Sequence, residues 1–167
     1  MSMETSYGND VANPLDSVEE LLLSHNWVFN RVTPDELMVE VAGKTGLYRL
    51  FFLWQQDMNA MQFCCQYDLT IPEGNRDAAC RAAIHLNEGL WMGHFDIPQM
   101  SSVPTFRQTC LFRGTDKNSE TEHIEDLVDI SLAQCERNYP LFQFLAHADN
   151  IDEQKLTLAV METAGQS

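Results

Sequence analysis

The chain has 167 residues, of which 44% are hydrophobic and 10% aromatic, a composition that excludes a largely disordered protein and fits one globular domain. Its 25 acidic and 10 basic side chains give a formal net charge of −15. A surface this acidic repels the phosphates of nucleic acids and of anionic lipids, so we expect the protein to bind neither nucleic acid nor a membrane surface.

The N-terminal residues and the apolar runs carry no targeting or membrane-spanning pattern. Residues 1–12 contain no basic cluster and no apolar stretch of the kind found in secretory signals. The longest unbroken apolar run, residues 50–54, is far shorter than the ~20 residues that a membrane-spanning helix needs. We therefore expect a cytoplasmic protein with a flexible polar tail over residues 1–13 and one domain over residues 14–165.

The predicted elements begin with an amphipathic helix over residues 15–25, which Asn13 and Pro14 start with a cap and a first-turn proline. The apolar period then changes to two, which predicts four strands. These cover residues 27–32, 37–41, 48–54 and 61–69. The links between them are too short for parallel crossovers, so we expect an antiparallel meander. Residues 43–46, Gly-Lys-Thr-Gly, predict a hairpin because two glycines permit positive φ.

The middle of the chain predicts a helix followed by a second hairpin. The helix covers residues 75–92 and shows two adjoining apolar stripes. One stripe contains Ala79, Ala83, Leu86 and Leu90, and the other contains Cys80, Ile84, Asn87 and Trp91. Two adjoining stripes predict a broad buried face, as expected for a helix packed on a sheet. The glycine that follows fits the end of the helix. The hairpin then joins strands over residues 94–98 and 105–113.

The last third of the sequence predicts three helices. Ser119 and Glu122 form the pattern of a capping box at the start of the first one. Pro140 is expected to break that helix, so that a short helix follows over residues 141–148 and a final one from about residue 151. The complete order is α-β-β-β-β-α-β-β-α-α-α. This order predicts an α+β domain in which helices pack on an antiparallel sheet.

Five short blocks of sequence resemble the YbjN-domain family of bacterial proteins. They are residues 27–32 (WVFNRV), 39–43 (VEVAG), 48–52 (YRLFF), 87–96 (NEGLWMGHFD) and 135–144 (CERNYPLFQF). The last two are the more specific, because they mix polar and aromatic residues in an order that no periodicity demands. The resemblance covers residues 14–165. It implies a sensory-transduction regulator with a fold similar to that of type III secretion chaperones, often dimeric, with no established enzymatic activity and no catalytic residue to carry over.

The cysteine and histidine patterns predict neither a metal site nor a cofactor. Five cysteines without a CxxC or CxxH pair do not form a disulfide or zinc framework, and the adjacent Cys64 and Cys65 point to opposite faces of their strand. His94 and Asp96 share one face of a strand, so the carboxylate could orient the imidazole, but no third group is placed beside them. We favour a structural role for the pair. The alternative is a small-molecule or metal-responsive sensor, or more remotely an enzyme, around His94, Asp96 and Trp91.

Four arginines lie in predicted strands, whereas the predicted helices carry mainly acidic side chains. The arginines are Arg31, Arg49, Arg107 and Arg113. One interpretation is that they form local ion pairs, and the other is that they form a patch that recognises the carboxylates of a partner. We favour local ion pairs, because long helices usually expose their charges.

The favoured function is that of a non-enzymatic, chaperone-like protein-interaction module with a regulatory role. A single layer of helices covers one face of a sheet, so apolar side chains on the other face need another cover. We expect four aromatic side chains to provide that surface: Trp27, Phe29, Phe51 and Trp54. A homodimer and a protein or peptide partner are the expected occupants. A flat apolar patch on the sheet would favour this hypothesis, and a deep pocket containing His94, Asp96 and Trp91 would favour the sensor.

Overall fold

The computed structural model describes residues 12–114 and 116–165, so nearly all of the tail predicted over residues 1–13 lies outside it. The elements are α1 (Leu15–Ser24), β1 (Phe29–Thr33), β2 (Glu36–Ala42), β3 (Leu47–Gln55), β4 (Ala60–Tyr67), α2 (Arg76–Glu88), β5 (His94–Asp96), β6 (Thr105–Leu111), α3 (Lys117–His147) and α4 (Glu153–Ala164). The α+β class is confirmed, and the order of helices and strands matches the predicted one except that two helices, not three, follow β6 in the described residues. None of the helices in the described ranges is long and apolar enough to cross a membrane.

The six strands form one antiparallel sheet in the order β1-β2-β3-β4-β6-β5, with β1 and β5 at its edges. Register places Leu37 opposite Phe52 and Phe52 opposite Phe63, and all three side chains are completely buried. Because side chains alternate along a strand, this row marks one face of the sheet, which we call the covered face. The opposite face, which we call the open face, carries the alternate residues.

The helices lie on the covered face. The Tyr67 hydroxyl of β4 donates a hydrogen bond to the Cys135 carbonyl of α3 at 2.7 Å, which ties the centre of the sheet to the longest helix. The Phe95 ring of β5 lies 5.4 Å from the Phe142 ring of α3, measured between centroids. Helix α1 is joined to α3 by the Ser17 hydroxyl, which donates to Glu120 at 2.7 Å. One hydrophobic core therefore fills the space between the sheet and the helical layer.

Helix α3 runs without a break through Pro140, which corrects the prediction of two helices in this region. Its buried stripe continues on both sides of the proline, through Cys135 and Asn138 before it and Leu141 and Phe142 after it. An internal proline costs a helix about 3 kcal/mol, whereas burying one large apolar side chain returns about 1.5–3 kcal/mol. Packing on the sheet therefore outweighs the local preference to break.

The start of α3 also differs from the predicted capping box. Asp116 is the N-cap, and its carboxylate accepts a hydrogen bond from the Ser119 backbone N–H at 2.8 Å. Aspartate at this position satisfies a free N–H group and places negative charge at the positive end of the helix.

Helix α2 ends at Glu88, four residues before the predicted end. The first predicted stripe is confirmed, because Ala79 and Ala83 are buried and Leu86 and Leu90 pack against the core. The second stripe is only partly buried: Cys80 packs against the core, whereas Ile84 and Trp91 are 63% and 102% exposed. Ala78 and Ala82 are buried as well, so the helix approaches its neighbours through small side chains on a narrower face than predicted. Gly89 caps the helix, and Gly93 has a positive φ of 72° at the entry to β5.

The hairpin between β2 and β3 is predicted correctly, but its glycines serve a purpose that periodicity does not show. Neither Gly43 nor Gly46 has a positive φ. A methyl group added at Gly43 would lie 1.7 Å from a carboxylate oxygen of Glu136, and one added at Gly46 would lie 2.3 Å from the ring of Tyr139. A side chain at either position would therefore displace Glu136 or Tyr139, so the two glycines accommodate the close approach of α3 to the turn.

Candidate interaction surface

The open face of the sheet carries a row of side chains that runs from one edge to the other. Cross-strand register gives the row as Asn30, Met38, Phe51, Cys64, Arg107 and His94. Met38, Phe51 and the neighbouring Leu53 are half-buried, and Cys64 is 8% exposed. The centre of the open face is therefore apolar. Its apolar character extends to Leu47 and Leu111, at 40% and 59% exposure.

One side of this centre is bordered by a polar cluster on β5 and β6. The Arg107 guanidinium donates to the Asp96 carboxylate at 2.7 Å and approaches the Cys64 sulfur at 3.4 Å. His94 lies 3.9 Å from the same Asp96 oxygen. The other Asp96 oxygen is buried and has no hydrogen-bond partner among the described residues. The predicted His94–Asp96 proximity is thus present, and Arg107 is the stronger partner of the carboxylate.

The cluster is not arranged as a nucleophilic or metal centre. Burial raises the pKa of the Cys64 thiol, and the nearby Arg107 guanidinium lowers it by less, so the neutral thiol is favoured. Within residues 12–114 and 116–165, no three His, Cys, Asp or Glu side chains are grouped to hold a metal ion. A depression of about 430 Å³ at the cluster is lined by Cys64, His94 and Arg107, among others. Neither Asp96 nor Trp91 lines that depression, so it does not bring together the three residues of the sensor hypothesis.

The four aromatic residues predicted to form the surface are distributed over different parts of the fold. Phe51 lies at the centre of the open face, as expected. Trp54 is on the covered face and only 4% exposed, with its ring 6.1 Å from that of Phe112. Phe29 and Trp27 are half-buried against the core near the β1 edge, and Trp27 stacks on His25 at 4.6 Å. The expectation of an uncovered Trp54 is therefore wrong.

The reason lies in strand alternation. Trp54 is an even number of residues from Phe52, so it shares the covered face with it, whereas Phe51 and Leu53 take the other face. Met38 and Leu53 were missed as surface residues. Their cross-strand neighbourhood depends on register, which pairs Met38 with Phe51 and cannot be read from either strand alone.

The strand arginines form local ion pairs, as favoured above, in three of the four cases. Arg31 contacts Asp16 and Glu19 of α1 at 3.1 and 2.9 Å. Arg49 pairs with Glu40 across two strands of the open face at 3.3 Å. The third pair is that of Arg107 in the polar cluster.

These pairs leave the open face almost neutral. Its strands carry two arginines, Arg49 and Arg107, and three carboxylates, Glu36, Glu40 and Asp96, a formal charge of −1. The whole chain carries −15. The apolar centre thus lies on a face that escapes most of the protein's negative charge.

An antiparallel sheet covered by helices on one face, with an apolar and nearly neutral second face, defines a two-layer α+β protein with a surface suited to binding. The family model for YbjN, described as "Putative bacterial sensory transduction regulator", matches residues 14–144. The chain therefore belongs to the YbjN family. The match ends inside α3, and α4 lies beyond it.

A solved structure is also similar to this chain. It is titled "Crystal structure of YbjN, a putative transcription regulator from E. coli" and is 9% identical in sequence. The similarity covers 75% of this chain and 93% of that chain, with a TM-score of 0.49. Comparison with curated proteins gives no significant match.

Proposed function

We propose that this protein is a non-enzymatic regulatory module that acts by binding protein through the open face of its sheet. The observation that carries the proposal is the apolar centre of the open face, where half-buried Met38, Phe51 and Leu53 surround the buried Cys64 on the side of the sheet opposite the helices. Apolar side chains at the centre of a patch with polar residues at its edge are the usual anatomy of a protein interface. The description of the YbjN family as a sensory-transduction regulator supports the regulatory role.

The first occupant of the open face is a second copy of the chain. Six strands spaced about 4.8 Å apart, with a mean length of about 6.5 residues at about 3.3 Å per residue, span roughly 24 by 21 Å. The resulting area of roughly 500 Å² is about two thirds of the ~800 Å² per partner of a standard interface, so the proposed contact is a small one. A contact between identical patches is isologous, so it closes as a two-fold dimer.

We also propose that the open face binds a protein or peptide ligand in a chaperone-like manner. Such a ligand would present apolar side chains to the same face, while the acidic helices keep the complex soluble. We place the module in the cytoplasm, where its five free cysteines would stay reduced.

The proposal is tested by replacing Phe51 with serine and measuring association by sedimentation equilibrium. Truncating a central aromatic residue costs an interface about 1.5 kcal/mol or more. A two-fold contact loses this twice, so the dissociation constant should rise about 100-fold. Glu125→Gln is the control, because Glu125 is exposed on α3 and belongs to the helical layer.

Salt provides an independent check of the same contact. Screening should relieve the repulsion between two copies that each carry −15, so the dimer should persist or strengthen at about 0.5 M salt. A wild-type monomer at about 100 µM would refute the dimer. Equal dissociation constants for Phe51→Ser and wild type would show that the open face is not the contact.

A further inference from the structure

A cleft of about 380 Å³ lies where α2, α3 and α4 meet, in the helical layer and away from the open face. Its volume falls within the ~300–1,000 Å³ of typical small-molecule sites. Its apolar lining comes from Leu86, Leu90 and Val160. Its polar lining includes Glu88, Gln134, Arg137, Asn138 and Thr163.

The two most specific sequence blocks converge on this cleft. Glu88, Gly89 and Leu90 come from the block over residues 87–96, and Arg137 and Asn138 come from the block over residues 135–144. Glu88 and Arg137 are exposed, so the packing of the helices on the sheet does not require them. The open face uses neither residue, so a role for them in the cleft would be independent of the proposed interface.

The charges of the cleft are unpaired. Seven of the ten basic side chains have a hydrogen-bond or ion-pair partner. Arg137 has no such partner among the described residues, even though the chain carries 25 acidic side chains. Glu88 likewise has no ion-pair partner in the part of the chain that the structure describes. The two residues therefore line one cavity with their charged groups more than 4.0 Å apart, outside the limit of an ion pair.

The helix ends add to the negative side of the cleft. Helix α2 ends at Glu88 and α4 ends at Ala164, and both ends border the cavity. The C-terminal end of a helix carries partial negative charge and attracts cations. The cleft thus offers negative potential at the ends of α2 and α4, a guanidinium on α3, and an apolar surface as well.

From these charges and this lining we propose that the cleft binds a zwitterion with an apolar side chain, either a free α-amino acid or a short peptide. The ammonium group is held by Glu88 and the helix ends, the carboxylate by Arg137, and the side chain contacts Leu86, Leu90 and Val160. Arginine suits the carboxylate because its planar guanidinium can donate two parallel hydrogen bonds.

Binding would also restrain α4. That helix buries only Leu156 and Thr163, and it is tied to α2 by an exposed ion pair between Arg81 and Glu153. A ligand that touches α2, α3 and α4 at once holds the last helix against the other two. Backbone amides of α4 should therefore exchange more slowly with solvent when the cleft is occupied.

Titration calorimetry of the full chain with four compounds tests the proposal. L-Leucine and leucyl-leucine are zwitterions, N-acetyl-leucine lacks the ammonium group and leucinamide lacks the carboxylate. At least one zwitterion should bind with a dissociation constant below about 10 mM, and the two blocked compounds should bind at least about tenfold more weakly. The stronger of the two zwitterions distinguishes a free amino acid from a peptide.

Two variants and a matched control locate the binding. Arg137→Gln should weaken the zwitterion about tenfold and remove its advantage over leucinamide, and Glu88→Gln should remove the advantage over N-acetyl-leucine. Arg113→Gln changes another exposed arginine without a partner among the described residues, outside the cleft, and should leave binding unchanged.

Three results would overturn the proposal. They are no zwitterion binding up to about 10 mM, blocked compounds that bind as well as the zwitterions, and unchanged binding in Arg137→Gln. A failure here leaves the dimer untouched, because sedimentation equilibrium without ligand measures the open face alone.

Discussion

Replacing Gly43 with alanine should release the β2–β3 hairpin from α3. The Glu136 carboxylate accepts hydrogen bonds from the backbone N–H groups of Lys44 at 2.6 Å and Thr45 at 3.1 Å, and from the Thr45 hydroxyl. A methyl group at Gly43 would occupy the position of that carboxylate, 1.7 Å from one of its oxygens. Hydrogen bonds to a charged group contribute about 1.5–3 kcal/mol when protected and less when water competes. We expect a loss of about 2 kcal/mol from Gly43→Ala and a similar loss from Glu136→Ala.

Because both substitutions break the same contact, their effects should not add. Urea unfolding followed by circular dichroism should show a double variant about 1–2 kcal/mol more stable than the sum of the single losses predicts. The methyl group of Gly46→Ala would contact Tyr139 rather than Glu136, so the stability losses of Gly46→Ala and Glu136→Ala should be additive. Gly74→Ala, with no atom within 4 Å of the new methyl group, should change stability by less than about 0.5 kcal/mol. Additivity of Gly43→Ala and Glu136→Ala within about 0.5 kcal/mol would refute the reasoning.

Three further predictions concern the stability of the fold. Pro140→Ala restores a backbone N–H donor for the Glu136 carbonyl, which stabilises the helix, but it also gives the unfolded chain more conformational entropy. The net effect should be a rise of about 1–2 kcal/mol in the free energy of unfolding, and a lower urea midpoint than wild type would contradict this. Trp54→Ala should lower the free energy of unfolding by about 3–5 kcal/mol, because the Trp54 side chain is only 4% exposed. A variant that melts at the same temperature as the wild-type protein would show that Trp54 lies outside the core. Burial raises the pKa of the Cys64 and Cys110 thiols above their ordinary value of 9.0, so they ionise earlier in the unfolded chain. Stability should therefore fall as the pH rises above about 9, and an unchanged urea midpoint between about pH 8 and 10 would count against it.

The strands could be predicted from the sequence because burial of one face imposes a period of two. The core residues Leu50, Phe52 and Phe63 alternate with less buried residues, and the sequence boundaries agree with the structure to within about two residues. The same parity assigns Trp54 to the covered face. The expectation of an exposed Trp54 is inconsistent with this alternation, which leaves only Phe51 and Leu53 of that segment on the open face.

The remaining errors share one physical cause, which is that tertiary contacts override local preference. Pro140 stays inside a helix because buried side chains on both sides of it pack on the sheet. Gly43 is required by a carboxylate that lies 93 positions further along the chain, and no local pattern contains that contact. The cleft between the helices was equally invisible, since Glu88 and Arg137 approach the same space only after α2 and α3 have packed.

The distribution of charge bears on which encounters between copies are productive. Eleven of the 25 acidic side chains lie in residues 116–162 with only three basic ones, so the region that contains α3 and α4 carries much of the net charge. Two copies that meet through their helical layers repel each other, and the repulsion extends over about 8 Å at physiological salt. The open face carries a formal charge of about −1 and the apolar centre around Phe51, so the face-to-face encounter is the least repelled and the only one that buries this patch. In the proposed dimer, the acidic helices would disfavour other modes of association and the open face of the sheet would supply the attraction.

Reversing one charge on the open face with Arg49→Glu should slow dimer formation more than Arg137→Glu, although both substitutions change the net charge equally. Equal association rates for the two variants would show that net charge alone governs the encounter.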